Sequence, residues 1–203
     1  HDVQGLIDLM GRDLFRARLD SLFTLILPQD IPGAHDIHGR IGAYWHGNEP
    51  CHHVTYLYNY IGEGWKCQRR VREIADRFYG NTPASLCGND DCGQMSAWYI
   101  FNCIGIYPVA PASGYYNIGS PALPAIDVTM SNGNHIRMTT KGWNRKAVYI
   151  NKVYVNGKPY SKSYLTWDDV QKGIDLHFVM STKPNRRWAV RTEDIAPSLS
   201  TAR

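Results

Sequence analysis

The chain has 203 residues, of which 43% are hydrophobic and 20% are charged, so it can bury a core and is not expected to be disordered. Its net charge of +4 is modest, and its Lys and Arg residues are scattered, which argues against nucleic-acid binding. We expect no membrane span, because no stretch approaches the ~18–20 apolar residues that one needs. The five cysteines lack a Cys-x-x-Cys spacing, so no structural zinc site is predicted.

The first ~110 residues have the apolar spacing of helices. Asp2 is a candidate cap for a short helix, and a second helix is predicted from about Asp13 to Phe23. A polar loop over 28–50 is too long for a simple connection and is expected to be functional. Further helices are predicted from near Pro50, over 65–79 with Gly80 as the terminating glycine, and over 93–104 before Gly105.

From about Tyr115 the apolar period changes to two, which is typical of strands. Turn signals follow at Ser131-Asn-Gly-Asn134 and at Asn156-Gly157, and the clearest alternation runs from Ile174 to Met180. We therefore predict a mixed fold, with helical hairpins in residues 1–112 and an antiparallel β segment in 113–203. That segment is predicted to end in a polar tail from about Thr192.

The first candidate site is the loop Gly47-Asn-Glu-Pro-Cys-His-His53. It places Glu49, the amide of Asn48 and the imidazoles of His52 and His53 at a loop-to-helix junction, where they are suited to hold a metal, sugar hydroxyls or a water molecule. A purely structural interpretation stays open, in which Asn48 caps the helix and Pro50 takes an early helical position.

The second candidate site is the loop Gly88-Asn-Asp-Asp-Cys-Gly-Gln94, before a helix that is apolar nearly all round. Asp90 and Asp91 are favoured there by the helix dipole, by roughly 0.3–1 kcal/mol each, without any catalytic role. The functional interpretation is that one of them is a general base. An inverting glycosidase holds its two carboxyl groups about 6.5–9.5 Å apart, so adjacent aspartates are poor partners and Glu49 is the obvious second carboxyl.

Together these stretches resemble family 92 of the glycoside hydrolases. The matching text comprises His1-Asp-Val-Gln-Gly-Leu-Ile-Asp-Leu-Met10, Gly47-Asn-Glu-Pro-x-His-His53, Tyr56-Leu-Tyr-Asn-Tyr60, Trp65-Lys-x-Gln68, Gly88-Asn-Asp-Asp-Cys-Gly-Gln-Met-Ser-Ala-Trp-Tyr99, Gly105-Ile-Tyr-Pro108 and Gly119-Ser-Pro121. Each motif alone is weak, but their order over about 120 residues is specific.

The resemblance implies a calcium-dependent, inverting exo-α-mannosidase, with an N-terminal β-sandwich and a C-terminal (α/α)6 barrel of which this chain holds an incomplete part. It assigns Asp91 as the general base with Asp90 as the fallback, and it makes Glu49 a ligand of Ca²⁺ or sugar rather than the acid. Asn48, His52 and His53 then belong to the sugar-binding subsite. The expected substrate is a mannose-containing glycan, and the expected location is secreted or periplasmic.

The family's general acid lies in a Glu-Gly-Asn segment upstream of the His-Asp with which this sequence opens, and no such segment occurs here. We therefore expect this chain to need the N-terminal part of the same enzyme and to be inactive alone. Two alternatives stay open. One is a non-catalytic carbohydrate-binding module. The other is a thiol hydrolase that uses Cys51 with His52 or His53, where adjacent side chains diverge and the geometry is poor.

Overall fold

The computed structural model describes residues 1–28 and 38–201, in which helices come first and most strands follow. The α-helices within these residues are α1 (Val3–Met10), α2 (Arg12–Thr24), α3 (Gly64–Phe78), α4 (Gln94–Ile104) and the short α5 (Trp167–Gln171). Segments of 3-10 helix span Glu49–Cys51, Val54–Ile61 and Thr192–Asp194. None of the helices in the described ranges is long and apolar enough to cross a bilayer.

The strands of the described residues form three sheets. They are β1 (Arg40–Ile41), β2 (Tyr44–Trp45), β3 (Ile106–Tyr107), β4 (Tyr115–Ile118), β5 (Ala125–Thr129), β6 (His135–Lys141), β7 (Tyr149–Val155), β8 (Lys158–Tyr160), β9 (Tyr164–Thr166) and β10 (Ile174–Ser181). The largest sheet has the order β5-β6-β10-β7-β8, a second has β3-β4-β9, and β1 pairs with β2.

Local signals account for most helix ends. The Asp2 side chain accepts a hydrogen bond from the Gly5 backbone N–H at 3.1 Å, as expected for a cap. Gly105 ends α4 in the left-handed conformation that glycine adopts without a steric penalty. The prediction for Gly80 is wrong, because Tyr79 already leaves the helical conformation and pairs with Leu86 in an isolated bridge.

The segment after Pro50 is helical, but as 3-10 turns and not as the predicted α-helix. Most of Val54–Ile61 is buried, so its apolar residues surround the helix and their spacing does not distinguish the two helix types. In the predicted long loop, β1 and β2 form a small hairpin that the sequence analysis did not identify. Residues 29–37 of that loop lie outside the described residues.

The predicted hairpins in the second half are confirmed. β5 and β6 pair antiparallel across the Asn-Gly turn at 132–133, and β7 pairs antiparallel with β8 across the turn at 156–157. The purely antiparallel sheet is wrong at one pair, because β10 lies between β6 and β7 and runs parallel to β6. Alternating burial is the same in parallel and antiparallel strands that have one buried face, so the sequence pattern did not reveal the direction.

Two hydrophobic clusters form the core, one around the helices and one around the five-stranded sheet. The boundary at residue 112 stays a prediction. Tyr164 and Ala196, from the second half of the chain, belong to the cluster around the helices, so the two halves share part of their core. The predicted polar tail from about Thr192 packs on the rest of the chain: Asp194 and Ala196 are buried, and the Ser198 hydroxyl accepts a hydrogen bond from the Gln4 backbone N–H at 3.0 Å. The C-terminal segment therefore packs against α1, where its polar side chains find partners.

Candidate active site

The two predicted polar loops lie side by side, and two glycines allow this close approach. Gly47 donates its backbone N–H to the His38 carbonyl at 2.9 Å, and Gly88 packs against it from the second loop. A Cβ atom at Gly47 would lie 2.9 Å from the His38 carbonyl oxygen and 3.0 Å from that of Cys87, which are backbone atoms. Because Gly47 has no side chain, the loop that holds Glu49 can pack against the loop that holds Asp91.

Glu49 and Asp91 meet where the two loops adjoin. The Glu49 carboxylate lies within hydrogen-bonding reach of Asp91 and raises the pKa of that carboxyl, chiefly through this contact and then through charge repulsion. Asp91 is exposed, whereas Glu49 Oε1 is buried and receives no hydrogen bond from the described residues. A neighbouring carboxylate disfavours the ionised form of Asp91, which is one arrangement found at acid–base and cation sites.

Asp90 has a different role from Asp91 in the structure. Its Oδ1 accepts hydrogen bonds from the backbone N–H and the hydroxyl of Ser96, both at 2.9 Å, at the start of α4. Asp91 and Cys92 have φ angles of +46° and +58°, in the left-handed region that costs a non-glycine residue free energy. The turn directs the Asp91 side chain outward while Asp90 holds the helix end.

The other predicted site residues lie in the first loop. His52 is buried, with its Nε2 2.9 Å from the His46 carbonyl oxygen and its Nδ1 3.1 Å from Gln94 Nε2. His53 is half-buried, and burial lowers its pKa. Asn48 takes the N-cap position of the 3-10 helix and Pro50 lies in its first turn, as in the structural interpretation, but the Asn48 side chain makes no capping hydrogen bond and its amide donates weakly to Cys51 Sγ at 3.8 Å. Direct contacts of these three side chains with a sugar stay predictions.

A buried aromatic network supports the first loop, and the sequence analysis did not identify it. His46 is fully buried, with Nδ1 2.9 Å from the Tyr44 hydroxyl and Nε2 2.7 Å from the Tyr79 hydroxyl. Burial, assisted by His52, lowers the pKa of His46 to about 2, so the ring is neutral. Its ring stacks on that of His52 at a centroid distance of 4.6 Å. In the sequence, His46 could have been recognised from its position directly before the Gly47-Asn-Glu-Pro motif.

In the described residues, no group of three or more His, Cys, Asp or Glu side chains is arranged to hold a metal ion. None of the five cysteines, all of which lie within the described ranges, forms a disulfide. Burial raises the pKa of the Cys51 thiol, and both ring nitrogens of His52 are bonded elsewhere. A nucleophilic pair of Cys51 with His52 is therefore not supported, and the pairing with His53 stays untested.

Loops that present Asp and Glu carboxylates are typical of enzymes that cleave glycosidic bonds, which use such groups as acid, base or nucleophile. The comparisons with known proteins place the chain in that class. Residues 1–182 match the glycosyl hydrolase family 92 catalytic domain. The chain belongs to that family.

Individual relatives agree with this assignment. A family 92 α-mannosidase from Bacteroides thetaiotaomicron in complex with mannoimidazole is 66% identical, with a TM-score of 0.96 over 98% of this chain and 26% of its own. An inverting mannosidase of the same family and species is 33% identical, with a TM-score of 0.83 over 98% of this chain and 28% of its own. An uncharacterized secreted glycosidase from Arthroderma benhamiae is 28% identical over 98% of this chain and 24% of its own length. The chain thus spans about a quarter of the length of these relatives.

Proposed function

We propose that this chain carries the general base of a calcium-dependent, inverting exo-α-mannosidase that releases terminal α-linked mannose from glycans. The observation that carries the proposal is the exposed Asp91 carboxylate, whose pKa is raised by contact with Glu49. The mannoimidazole bound by one relative and the inverting chemistry named for another support the substrate and the stereochemistry.

Asp91 is better suited than Asp90 to act as the base. A general base must have a lone pair free to reach a water molecule, and its pKa should lie near the working pH. Asp90 uses one oxygen to hold Ser96, whereas Asp91 accepts no side-chain hydrogen bond from an N–H donor of the described residues. The raised pKa makes Asp91 a stronger proton acceptor than an ordinary aspartate. Asp90 remains the fallback.

Glu49 is too close to Asp91 to be its partner acid. An inverting pair holds its carboxyl groups about 6.5–9.5 Å apart so that water fits beside the sugar, but these two lie in hydrogen-bonding contact. We assign the acid to a residue outside this sequence, as the family resemblance implies. Because the chain spans about a quarter of its relatives' length, we expect it to be inactive alone.

In the proposed reaction, Asp91 removes a proton from a water molecule as the water oxygen bonds to the anomeric carbon. The glycosidic C–O bond breaks on the opposite face of the sugar, and the general acid donates a proton to the leaving oxygen. Mannose with inverted anomeric configuration and the shortened glycan are the products. Within this chain, Glu49 lies beside Asp91, and Asp90 holds the turn that presents it.

The residues present fit part of a calcium site. Glu49 Oε1 is a buried oxygen without a hydrogen-bond partner among the described residues, and the Asp91 carboxylate lies beside it. Oxygen ligands of this kind suit Ca²⁺, which takes six to eight of them. By resemblance, bound calcium would contact hydroxyls of the terminal mannose and favour a flattened ring. Glu49 is our proposed ligand, and the remaining oxygens would come from other groups, since the described residues hold no cluster of three or more His, Cys, Asp or Glu side chains suited to a metal ion.

The proposed architecture follows the family resemblance. Residues 1–112 would form the second half of an (α/α)6 barrel, residues 113–203 a β segment, and the N-terminal part of the same enzyme would complete the site. Leu9 is 88% exposed on α1, and Leu6 and Leu14 are exposed nearby, as expected of helices that pack against further helices. A secreted or periplasmic location is supported by the relative that is named a secreted glycosidase.

Mannose release by the full-length enzyme tests the proposal directly. We expect hydrolysis of an aryl α-mannoside that stops on chelation and returns with added Ca²⁺. The released sugar should be the β-anomer, which proton NMR distinguishes during the first turnovers. The isolated 203-residue chain should release no product. Activity of this chain alone, or full activity in the presence of a chelator, would contradict the proposal.

The non-catalytic carbohydrate-binding alternative is favoured by one further observation. An open groove of about 600 Å³ is lined in part by Tyr115, Tyr116 and Trp167, and Trp167 is 50% exposed with its ring stacked on Tyr116. Exposed aromatic faces suit sugar rings. Calorimetric binding of mannose to the full-length protein, together with no hydrolysis of an aryl α-mannoside, would favour this alternative over hydrolysis.

A further inference from the structure

Gln94, the first residue of α4, is held by its side-chain amide between two other elements. Its Nε2 lies 3.1 Å from His52 Nδ1 in the first loop and 3.4 Å from the Tyr107 hydroxyl on β3. Gln94 is three residues after Asp91, and His52 is three residues after Glu49. The contact of Glu49 with Asp91 and the contact of His52 with Gln94 therefore join the same two segments, at positions three residues apart in each.

The tautomer of His52 determines which way the Gln94 amide faces. His52 Nε2 lies 2.9 Å from the His46 carbonyl oxygen, which only accepts hydrogen bonds, so Nε2 carries the proton. The ring is neutral because burial lowers its pKa, and Nδ1 is then an acceptor. Only the NH₂ group of Gln94 can donate to it. The amide oxygen Oε1 must therefore point away from His52.

The imidazole ring of His52, which orients Gln94, is held in place by several contacts. His52 is 1% exposed and stacks on His46, whose nitrogens are bonded to two tyrosine hydroxyls. The Trp98 indole N–H donates to the His52 carbonyl at 3.1 Å. Reorienting His52 would break these contacts together, so the direction of the Gln94 amide is preorganised before any ligand binds.

Gln94 is half-buried, and its Oε1 receives no hydrogen bond from the described residues, whose recorded contacts are with Nε2. We propose that Gln94 Oε1 accepts a hydrogen bond from an O–H group beside Asp91, with His52 as its positioning residue. The donor is a hydroxyl of the terminal sugar or the attacking water, two sources with the same chemistry. This inference rests on the proposed function, and it gives His52 an indirect role in place of direct sugar contact.

The test uses the full-length enzyme with Gln94→Met, which keeps the length of the side chain and removes both polar groups. We expect kcat/KM for an α-mannoside to fall about 3- to 10-fold, as for the loss of one neutral hydrogen bond. The melting temperature should also fall, because the buried His52 Nδ1 loses its donor, so the kinetics are measured well below it. Gln4→Met is the matched control, because among the described residues the Gln4 side chain bonds only the exposed Asp8 on α1, and its kinetics should not change.

Monodeoxy α-mannosides distinguish the two donors. If the donor is a sugar hydroxyl, removing that hydroxyl slows the parent enzyme but has little further effect in Gln94→Met. If the donor is the water, Gln94→Met lowers kcat and every deoxy substrate keeps its parent penalty. The positioning role predicts that His52→Asn, whose amide oxygen takes the place of Nδ1, retains more kcat/KM than His52→Gln. The reverse order would overturn that role.

The inference and the proposed function fail in different ways. A full-length parent enzyme that does not hydrolyse α-mannosides removes the proposed function and this inference with it. A parent that is active, with Gln94→Met within about twofold of it in kcat/KM, overturns the inference alone, since a lost hydrogen bond to a neutral group costs at least about 0.5 kcal/mol.

Discussion

Replacing Asp91 with asparagine removes one negative charge and preserves both the shape and the backbone preference of the residue. Asp91 has a φ angle of +46°, and asparagine adopts this left-handed region more readily than most residues. The repulsion with Glu49 is replaced by a contact in which an amide can donate to a carboxylate. We expect kcat of the full-length enzyme to fall about 10²- to 10⁴-fold, the usual contribution of a general base, without a lower melting temperature.

The neighbouring aspartate provides the contrast. Asp90→Ala removes the acceptor of two hydrogen bonds from Ser96, so it should destabilise the protein by about 0.5–2 kcal/mol, the usual cost of losing a helix cap. Asp90→Asn keeps an acceptor oxygen and should lower kcat less than Asp91→Asn does. Initial rates on an aryl α-mannoside and thermal unfolding separate the two effects. Our reasoning would be refuted if Asp90→Asn abolished activity while Asp91→Asn retained it.

Three further predictions concern stability and are measured by calorimetric or chemical unfolding. Gly42→Ala should cost more than about 1 kcal/mol, because the new Cβ would lie 2.6 Å from a backbone oxygen of α2 at a φ angle of +63°. Trp98→Phe should cost about 1–3 kcal/mol, because the His52 carbonyl loses its buried donor. Contact with Arg191 lowers the pKa of Asp194, so this ion pair stabilises the protein above the ordinary aspartate pKa of about 3.9 and ceases to do so as the pH falls through the lowered value. Asp194→Asn should therefore cost stability at pH ~7, and this cost should shrink in acid; a cost independent of pH would contradict the assignment.

Much of the helical half was predictable, because its signals are local. The cap at Asp2 and the terminating glycine at Gly105 act within one turn of the helix. The Asn-Gly turns at 132–133 and 156–157 likewise join strands that are adjacent in sequence. The direction of β10 was not predictable, since its burial pattern is the same beside a parallel and an antiparallel neighbour.

The amino-acid sequence by itself determined the family of this protein and indicated the two loops to which we assign its chemistry. It did not determine which side chains meet. The contact of Glu49 with Asp91, and of His52 with Gln94, joins residues about 40 positions apart, and it depends on two loops meeting where Gly47 has no side chain. The tertiary structure decided that one aspartate holds a helix and the other faces outward, because charge and burial at each residue depend on neighbours from distant parts of the chain.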